Sequence, residues 1–173
     1  MLGNNGSRIA SWLISFLPVS RCHGLKRWLL RKIGGIEIGD GTCIWSGVRF
    51  VGRYIRIGKN CHFGEGCIIS GLSPDAYITI GDEVSCGPQV FMTTGTHDVG
   101  DMNRRSGRGK QLPISIGSGT GLSVRCLIMA GVTVGRGCII GSNVVVSMDV
   151  PDNTMLVPAV TKKMKLPEGG IDW

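Results

Sequence analysis

The chain has 173 residues, 28 of them glycine and seven cysteine, with a formal charge of +7 at neutral pH. That length makes one domain of ordinary size with room for a short appendage. The positive balance suits anionic lipid or a phosphorylated small molecule, whereas nucleic acid is not expected as a partner, because no recognised module or aromatic stacking pattern accompanies the charge.

Residues 1–35 differ in pattern from the rest of the chain. The apolar run Ile9 to Leu17 is too short to span a bilayer and is interrupted by Pro18. It is a poor signal peptide, since the basic n-region is thin and no A-x-A site comes after it. Beyond Pro18, Leu25, Trp28, Leu29 and Ile33 fall on one helical face with Arg21, Lys26, Arg27, Arg31 and Lys32 around them. This predicts one amphipathic basic helix that caps the next element, and peripheral contact with an anionic membrane is compatible with that role.

From Ile38 a six-residue beat begins. Bulky residues stand at Ile38, Ile44, Phe50, Ile57, Phe63, Ile69, Ile80, Cys86, Met92, Ile116, Leu122, Ile128, Val134, Ile140 and Val146. Four places after most of them comes a small residue, such as Thr42, Cys61, Cys67, Val84, Thr96, Thr120, Cys126 or Cys138. Neither a helix nor an alternating strand has this period. A hexapeptide repeat predicts a parallel β-helix, all-β, of about five coils over residues 36–154 and roughly 24 Å tall. Gly often comes directly after the bulky residue, as at Gly39, Gly58 and Gly81, and the expectation is that these glycines supply positive φ at the corners. Most cysteines fall in phase with the beat and are expected to be buried and free; their odd number and the lack of C-x-x-C argue against zinc and structural disulfides, and a reducing cytoplasm fits best.

Two interruptions break the beat. Residues 71–77 form a small bulge, and the polar stretch 98–113 is expected to be an extended loop carrying the basic segment 104–110. That segment would supply charge to an anionic ligand or lie solvated. After the turn Pro151 to Thr154, residues 155–173 are expected to be an irregular basic tail.

The hexapeptide phase, the phrase Thr94-Gly95-Thr96-His97-Asp98 ahead of the long loop, and the block Ile116 through Pro151 together resemble the left-handed β-helix acyltransferases. With Leu17-Pro18 and the run Lys26 to Gly35 leading into the first coil, the chain looks like the short O-acetyltransferases of bacterial capsule and exopolysaccharide synthesis. The resemblance implies the left-handed coil, a homotrimer, acetyl-CoA as acyl donor with no metal, and a sugar or polysaccharide-precursor acceptor. The cysteine pattern and the basic helix together lead to the expectation of a cytoplasmic protein, or one peripheral at the inner face of the membrane. The resemblance places coenzyme A in a groove between subunits, beside Val124, Ser142 and Ser147, with Lys162 or Lys163 near its phosphates. Three departures stand out: Gly121-Leu122-Ser123 where an aromatic then Ile-Gly is usual, Met148 where Lys is usual, and a tail lacking Gly-Asn-Pro.

Moving an acetyl group from a thioester to a hydroxyl needs a base for the hydroxyl proton and donors for the oxyanion. The resemblance gives the base to His97, which the repeat places outward, after the inward Thr96. His62 has the same outward phase and would line an acceptor pocket or face solvent, and His23 belongs to the helix. A three-histidine zinc site of the β-helix carbonic anhydrases is not expected, because no H-x-x-x-x-H pair exists and His23 precedes the coils. The group that orients His97 is left open between Glu65, Asp75 and a backbone carbonyl. N-acylation of an amino sugar and a non-catalytic trimeric scaffold are the alternatives. A serine acetyltransferase or a nucleotidyltransferase would need a larger domain ahead of the coils.

Overall fold

The structure, a computed structural model, describes residues 5–18 and 20–158. From Glu37 the chain winds through three parallel sheets, visiting each in turn. The first face holds Glu37–Ile38, Ile55–Ile57, Ile78–Ile80, Ile114–Ile116 and Thr133–Val134. The second holds Cys43–Ile44, His62–Phe63, Ser85–Cys86, Gly121–Leu122, Ile139–Ile140 and Met155–Leu156. The third holds Arg49–Val51, Ile68–Ser70, Phe91–Thr93, Leu127–Ile128 and Val145–Val146. This is the parallel β-solenoid of about five turns that the six-residue beat predicts.

Every bulky position of the beat is buried, from Ile38 to Val146, and together they form one continuous core. The small positions add a bond between coils. Thr42 Oγ1 donates to the Gly58 carbonyl at 3.0 Å and Thr120 Oγ1 to that of Gly135 at 2.8 Å. The thiols do the same more weakly: Cys61 to Gly81, Cys67 to Gly87 and Cys126 to Gly141, each at 3.1 Å. A small residue with a polar tip thus fits the inward corner and uses an otherwise buried carbonyl. Thr96 departs from the expected inward position. Thr94 takes that place, fully buried with its hydroxyl on the Ser70 carbonyl and on Gln111, because the chain leaves the coil two residues early.

The glycines after the bulky residues also correct the sequence reading. None of Gly39, Gly58, Gly81, Gly117 or Gly135 has a positive φ. They are forced by the stacking distance instead. A Cβ on Gly39 would meet the Gly58 carbonyl at 2.5 Å, and one on Gly58 would meet that of Gly81 at 2.6 Å. The left-handed corners fall elsewhere, at Gly41, Gly47, Gly66 and Gly119, and equally at Asn60, Glu83, Gln89, Arg125 and Asn143.

All seven cysteines are free, with Cys61, Cys67, Cys86, Cys126 and Cys138 buried, Cys43 half-buried and Cys22 exposed. Burial pushes the Cys67 thiol from 9.0 up to about 11, and moves Cys61, Cys86 and Cys126 in the same direction. As pH rises through this window the unfolded thiol loses its proton before the folded one, so the folded state binds more protons and stability falls. The loss attributable to Cys67 should approach about 1.4 kcal/mol per pH unit within the window. The urea midpoint is expected to drop between pH 9 and 11, and Cys67→Ala should flatten that drop. At neutral pH a thiol reagent should modify Cys22 and Cys43 well before the other five.

Two helices, not one, precede the coils: α1 (Asn5–Ser15) and α2 (His23–Lys32). The first coil has no rung before it, so its strands would leave backbone groups unpaired. Side chains of the helices take them up. On the third face Ser11 Oγ of α1 accepts from Phe50 N–H at 2.9 Å and donates to its carbonyl at 3.2 Å. On the second face Lys26 Nζ donates to the Ile44 carbonyl at 2.9 Å, and His23 Nδ1 accepts from Ile44 N–H at 3.2 Å. Arg27 donates to the Thr42 carbonyl at 2.8 Å, and Arg31 to that of Ile38 through Nε and Nη2 on the first face. Lys26 is therefore buried, and burial lowers its ammonium below the usual lysine value. The apolar face read from the sequence splits in consequence. Leu29 and Ile33 pack on the core, while Leu25 and Trp28 stay 46% and 53% exposed.

The excursion after the third turn is an antiparallel hairpin rather than an irregular loop. Its strands are Gly95–Val99 and Ser106–Gln111, with Thr96 opposite Lys110 and His97 opposite Gly109. At its tip the Asp101 carboxylate accepts from Asn103 N–H and Arg104 N–H at 2.9 and 3.1 Å. Pairing the two arms satisfies a long stretch of backbone locally, which a projecting segment needs.

Candidate active site

His97 stands in the middle of the first arm of the hairpin and is exposed. The root of that arm is fixed: Thr94 Oγ1 donates to Gln111 Oε1 at 2.6 Å, Thr94 N–H to the Ser70 carbonyl at 3.1 Å, and Leu112 N–H to the Thr94 carbonyl at 2.8 Å. The imidazole lies over Gly109, where a Cβ would approach Cδ2 and Nε2 at 3.7 Å. Asp98 turns away and pairs with Lys110, which bonds its carboxylate and holds it below the usual range. Among the described residues neither ring nitrogen of His97 has a hydrogen-bond partner, so none joins it to Glu65, Asp75 or a backbone carbonyl. A side chain so placed has both nitrogens available to a substrate.

The other two histidines lie apart from it. His62 is half-buried on the second face, in register with Cys43 and Ser85, its ring edge-on to Trp45 at 5.5 Å. His23 serves the α2 cap. Among the described residues no group of three or more His, Cys, Asp or Glu is placed to hold a metal ion.

The residues assigned to the acyl donor flank the third face. One residue beyond the paired Met92, Ile128 and Val146 stand Thr93, Met129 and Ser147, so Ser147 shares an edge with the root of the hairpin. On the opposite edge Val124 and Ser142 are exposed in successive coils, with Asn143 N–H on the Val124 carbonyl at 2.9 Å. Lys162 and Lys163 lie outside the described residues. Gly121 points outward on the second face, and a Cβ there would meet nothing within 4 Å.

Sequence reasoning missed how unlike the three outer surfaces are. The outward column of the first face reads Glu37, Arg56, Thr79, Ser115, Thr133. That of the third reads Arg49, Ile68, Phe91, Leu127, Val145. One column is polar and solvated; the other is an apolar strip between the edge that carries Ser147 and the edge that carries Val124 and Ser142. The signal was present one residue before each bulky position of the third face. Two concavities, of about 490 and 460 Å³, lie on the first face and beneath α1 respectively, and His97 lines neither.

Over 111 residues the chain is 32% identical to a galactoside O-acetyltransferase of Lactococcus lactis, a match that takes in 61% of this chain and 54% of that one. The homologues of this chain are acetyltransferases. A maltose O-acetyltransferase from Clostridium difficile 630 has the same fold, with a TM-score of 0.69 at 26% identity over 88% of this chain and 80% of the other. A galactoside acetyltransferase solved in complex with coenzyme A gives a TM-score of 0.70 at 25% identity, covering 86% of this chain and 74% of its own. No protein-family model matches the chain. The chain spans about half the length of the curated acetyltransferases it matches. Its solenoid matches the left-handed β-helix fold of the hexapeptide-repeat acetyltransferases.

Proposed function

We propose that this protein is an acetyl-CoA-dependent O-acetyltransferase that acts on a sugar hydroxyl, with His97 as general base. The observation that carries the reading is an exposed, unbonded imidazole on a hairpin whose root is fixed beside an apolar strip. The likeness to a galactoside acetyltransferase bound to coenzyme A supports the choice of donor. The third-face strip would take the apolar length of the thioester arm, with Ser147 near the reacting end and Val124 and Ser142 on the far edge.

In the reaction, an imidazole nitrogen of His97 removes the acceptor hydroxyl proton as that oxygen attacks the thioester carbonyl. The tetrahedral oxyanion collapses, the carbon–sulfur bond breaks, and the proton held by His97 is delivered to the leaving thiolate. Backbone N–H donors near the hairpin root would stabilise the oxyanion. The strip lies in the open on a single chain, so a homotrimer in which a neighbouring copy walls the groove fits both the apolar column and the closure favoured by cyclic symmetry. The acceptor class is a surface polysaccharide or its precursor, handled in the cytoplasm or at the inner face of the membrane.

The test is thiol release from acetyl-CoA with a panel of galactosides, other neutral sugars and amino sugars. Turnover with hydroxyl acceptors and none with the amino group is expected. Preference for the amino sugar would replace O-transfer by N-transfer, and no turnover with any member would favour the scaffold alternative.

A further inference from the structure

The N-terminal helices turn one surface to the coil and leave another uncovered. On α1, Ser7, Ala10, Ser11 and Ile14 are buried, while Ile9, Trp12 and, just past the helix, Phe16 are 40%, 61% and 69% exposed. Trp12 and Phe16 stack edge to face at 4.9 Å, so the exposed aromatics form one unit. On α2 the uncovered stripe runs Leu25, Trp28, Lys32, with exposed Arg21 just ahead of the helix, so that a cation stands at each end of an apolar pair. A concavity of about 460 Å³ opens beside Trp12, lined by Arg8, Ser15, Arg49 and the Phe50 edge. None of the ion pairs among the described residues uses Arg8, Arg21, Lys32 or Arg49.

We infer that this surface docks the protein on an anionic lipid bilayer, with Trp12, Phe16 and Trp28 at the level of the headgroups and Arg8, Arg49, Arg21 and Lys32 on lipid phosphates. The inference deepens the proposal of a protein handled at the inner face of the membrane and rests on it, but it moves the contact. From sequence, the basic helix that caps the coils, with Arg21, Lys26, Arg27, Arg31 and Lys32, is also the one compatible with membrane contact. The structure commits Lys26, Arg27 and Arg31 to carbonyls of the first coil and gives the outer face to the aromatics of α1. Charge selects the occupant. Residues 1–35 contain no Asp or Glu, so the same surface of a second copy would meet it with like charge, whereas an anionic interface complements it. Aromatic rings with an apolar body and a polar edge suit that boundary, and interleaved cations add attraction.

The test uses the full chain with vesicles of phosphatidylcholine alone and of phosphatidylcholine with phosphatidylglycerol in equal parts, read by co-flotation at low and high salt. Wild type should float with the anionic vesicles at least about tenfold more tightly than with neutral ones, and less so at high salt. The double variant Trp12→Ser, Phe16→Ser should lose at least about tenfold of that binding, and Arg8→Glu with Lys32→Glu should abolish the anionic preference. The replaced side chains are uncovered or line an open concavity, and an unchanged Tm would verify that each variant folds. Three outcomes overturn the inference. Equal binding by wild type and the aromatic variant would leave peripheral contact standing at another surface. No flotation at all would remove peripheral contact too. Loss of self-association in the aromatic variant would assign the surface to a second copy. Turnover of a soluble acceptor without vesicles should be the same for all three proteins, so failure of docking and failure of acetyl transfer are read separately.

Discussion

Replacing His97 with Asn should lower kcat for acetyl transfer by about 10²- to 10⁴-fold, the range expected when a positioned base is removed. The effect should fall on kcat rather than on the KM for acetyl-CoA. The side chain is exposed on a hairpin, opposite a glycine, and makes no bond among the described residues, so it contributes nothing to folding that Asn would remove. An unchanged Tm beside a collapsed rate is therefore the expected pair of results, measured by thermal unfolding and by thiol release with a saturating sugar acceptor. Retention of the wild-type rate would remove His97 from the reaction. Loss of the rate together with a large fall in Tm would show that the ring is part of the hairpin's packing instead.

Gly58→Ala should strongly destabilise the solenoid. Its Cβ would collide with Asp82 Oδ1 and stand 2.6 Å from the Gly81 carbonyl carbon and oxygen. The carboxylate can swing aside, but the Gly81 backbone cannot move without separating two coils. It is held below by Gly81 N–H on the Ile116 carbonyl at 2.8 Å and above by Gly58 N–H on the Ile80 carbonyl at 2.8 Å. A loss of about 3 kcal/mol or more is expected, at the upper end of what overpacking costs. For a domain of this size that lowers Tm by roughly 6–12 °C. The matched control is Gly121→Ala, where the added methyl meets open space at an ordinary φ and should change stability by less than about 0.5 kcal/mol. Equal effects at the two positions would show that the close stacking of coils does not account for the glycines of the beat.

The periodic part of the molecule was readable because its cause is local. A residue in a repeating coil points in or out according to its place in the hexapeptide, whatever its neighbours are, so Ile44, Phe63 and Ile128 could be placed in the core from spacing alone. The count also set His97 outward, but from an inward Thr96 that the structure replaces with Thr94; the ring is exposed because it stands on the hairpin. The hairpin did not come from the count, because its pairing joins Thr96 to Lys110 and His97 to Gly109 across residues with no apolar alternation to announce a strand. Nor did the role of the glycines. From sequence, a glycine needed for close approach looks the same as one needed for a left-handed corner, and only the distance to the next coil separates Gly58 from Gly41.

Sequence by itself therefore determined the solenoid and its core. Tertiary structure decided the ends and the outer faces. The capping role of the basic helix was legible, but which of its cations do the capping was not, until the carbonyls of Ile38, Thr42 and Ile44 claimed three of them. The apolar column Ile68, Phe91, Leu127, Val145 emerged only once the bulge and the hairpin had set which residues fall in register. The physical reason is the same in both cases. A repeat fixes what each coil does with itself, whereas an edge or a face is defined by the neighbour that meets it, and those neighbours are separated by insertions whose length the period does not encode.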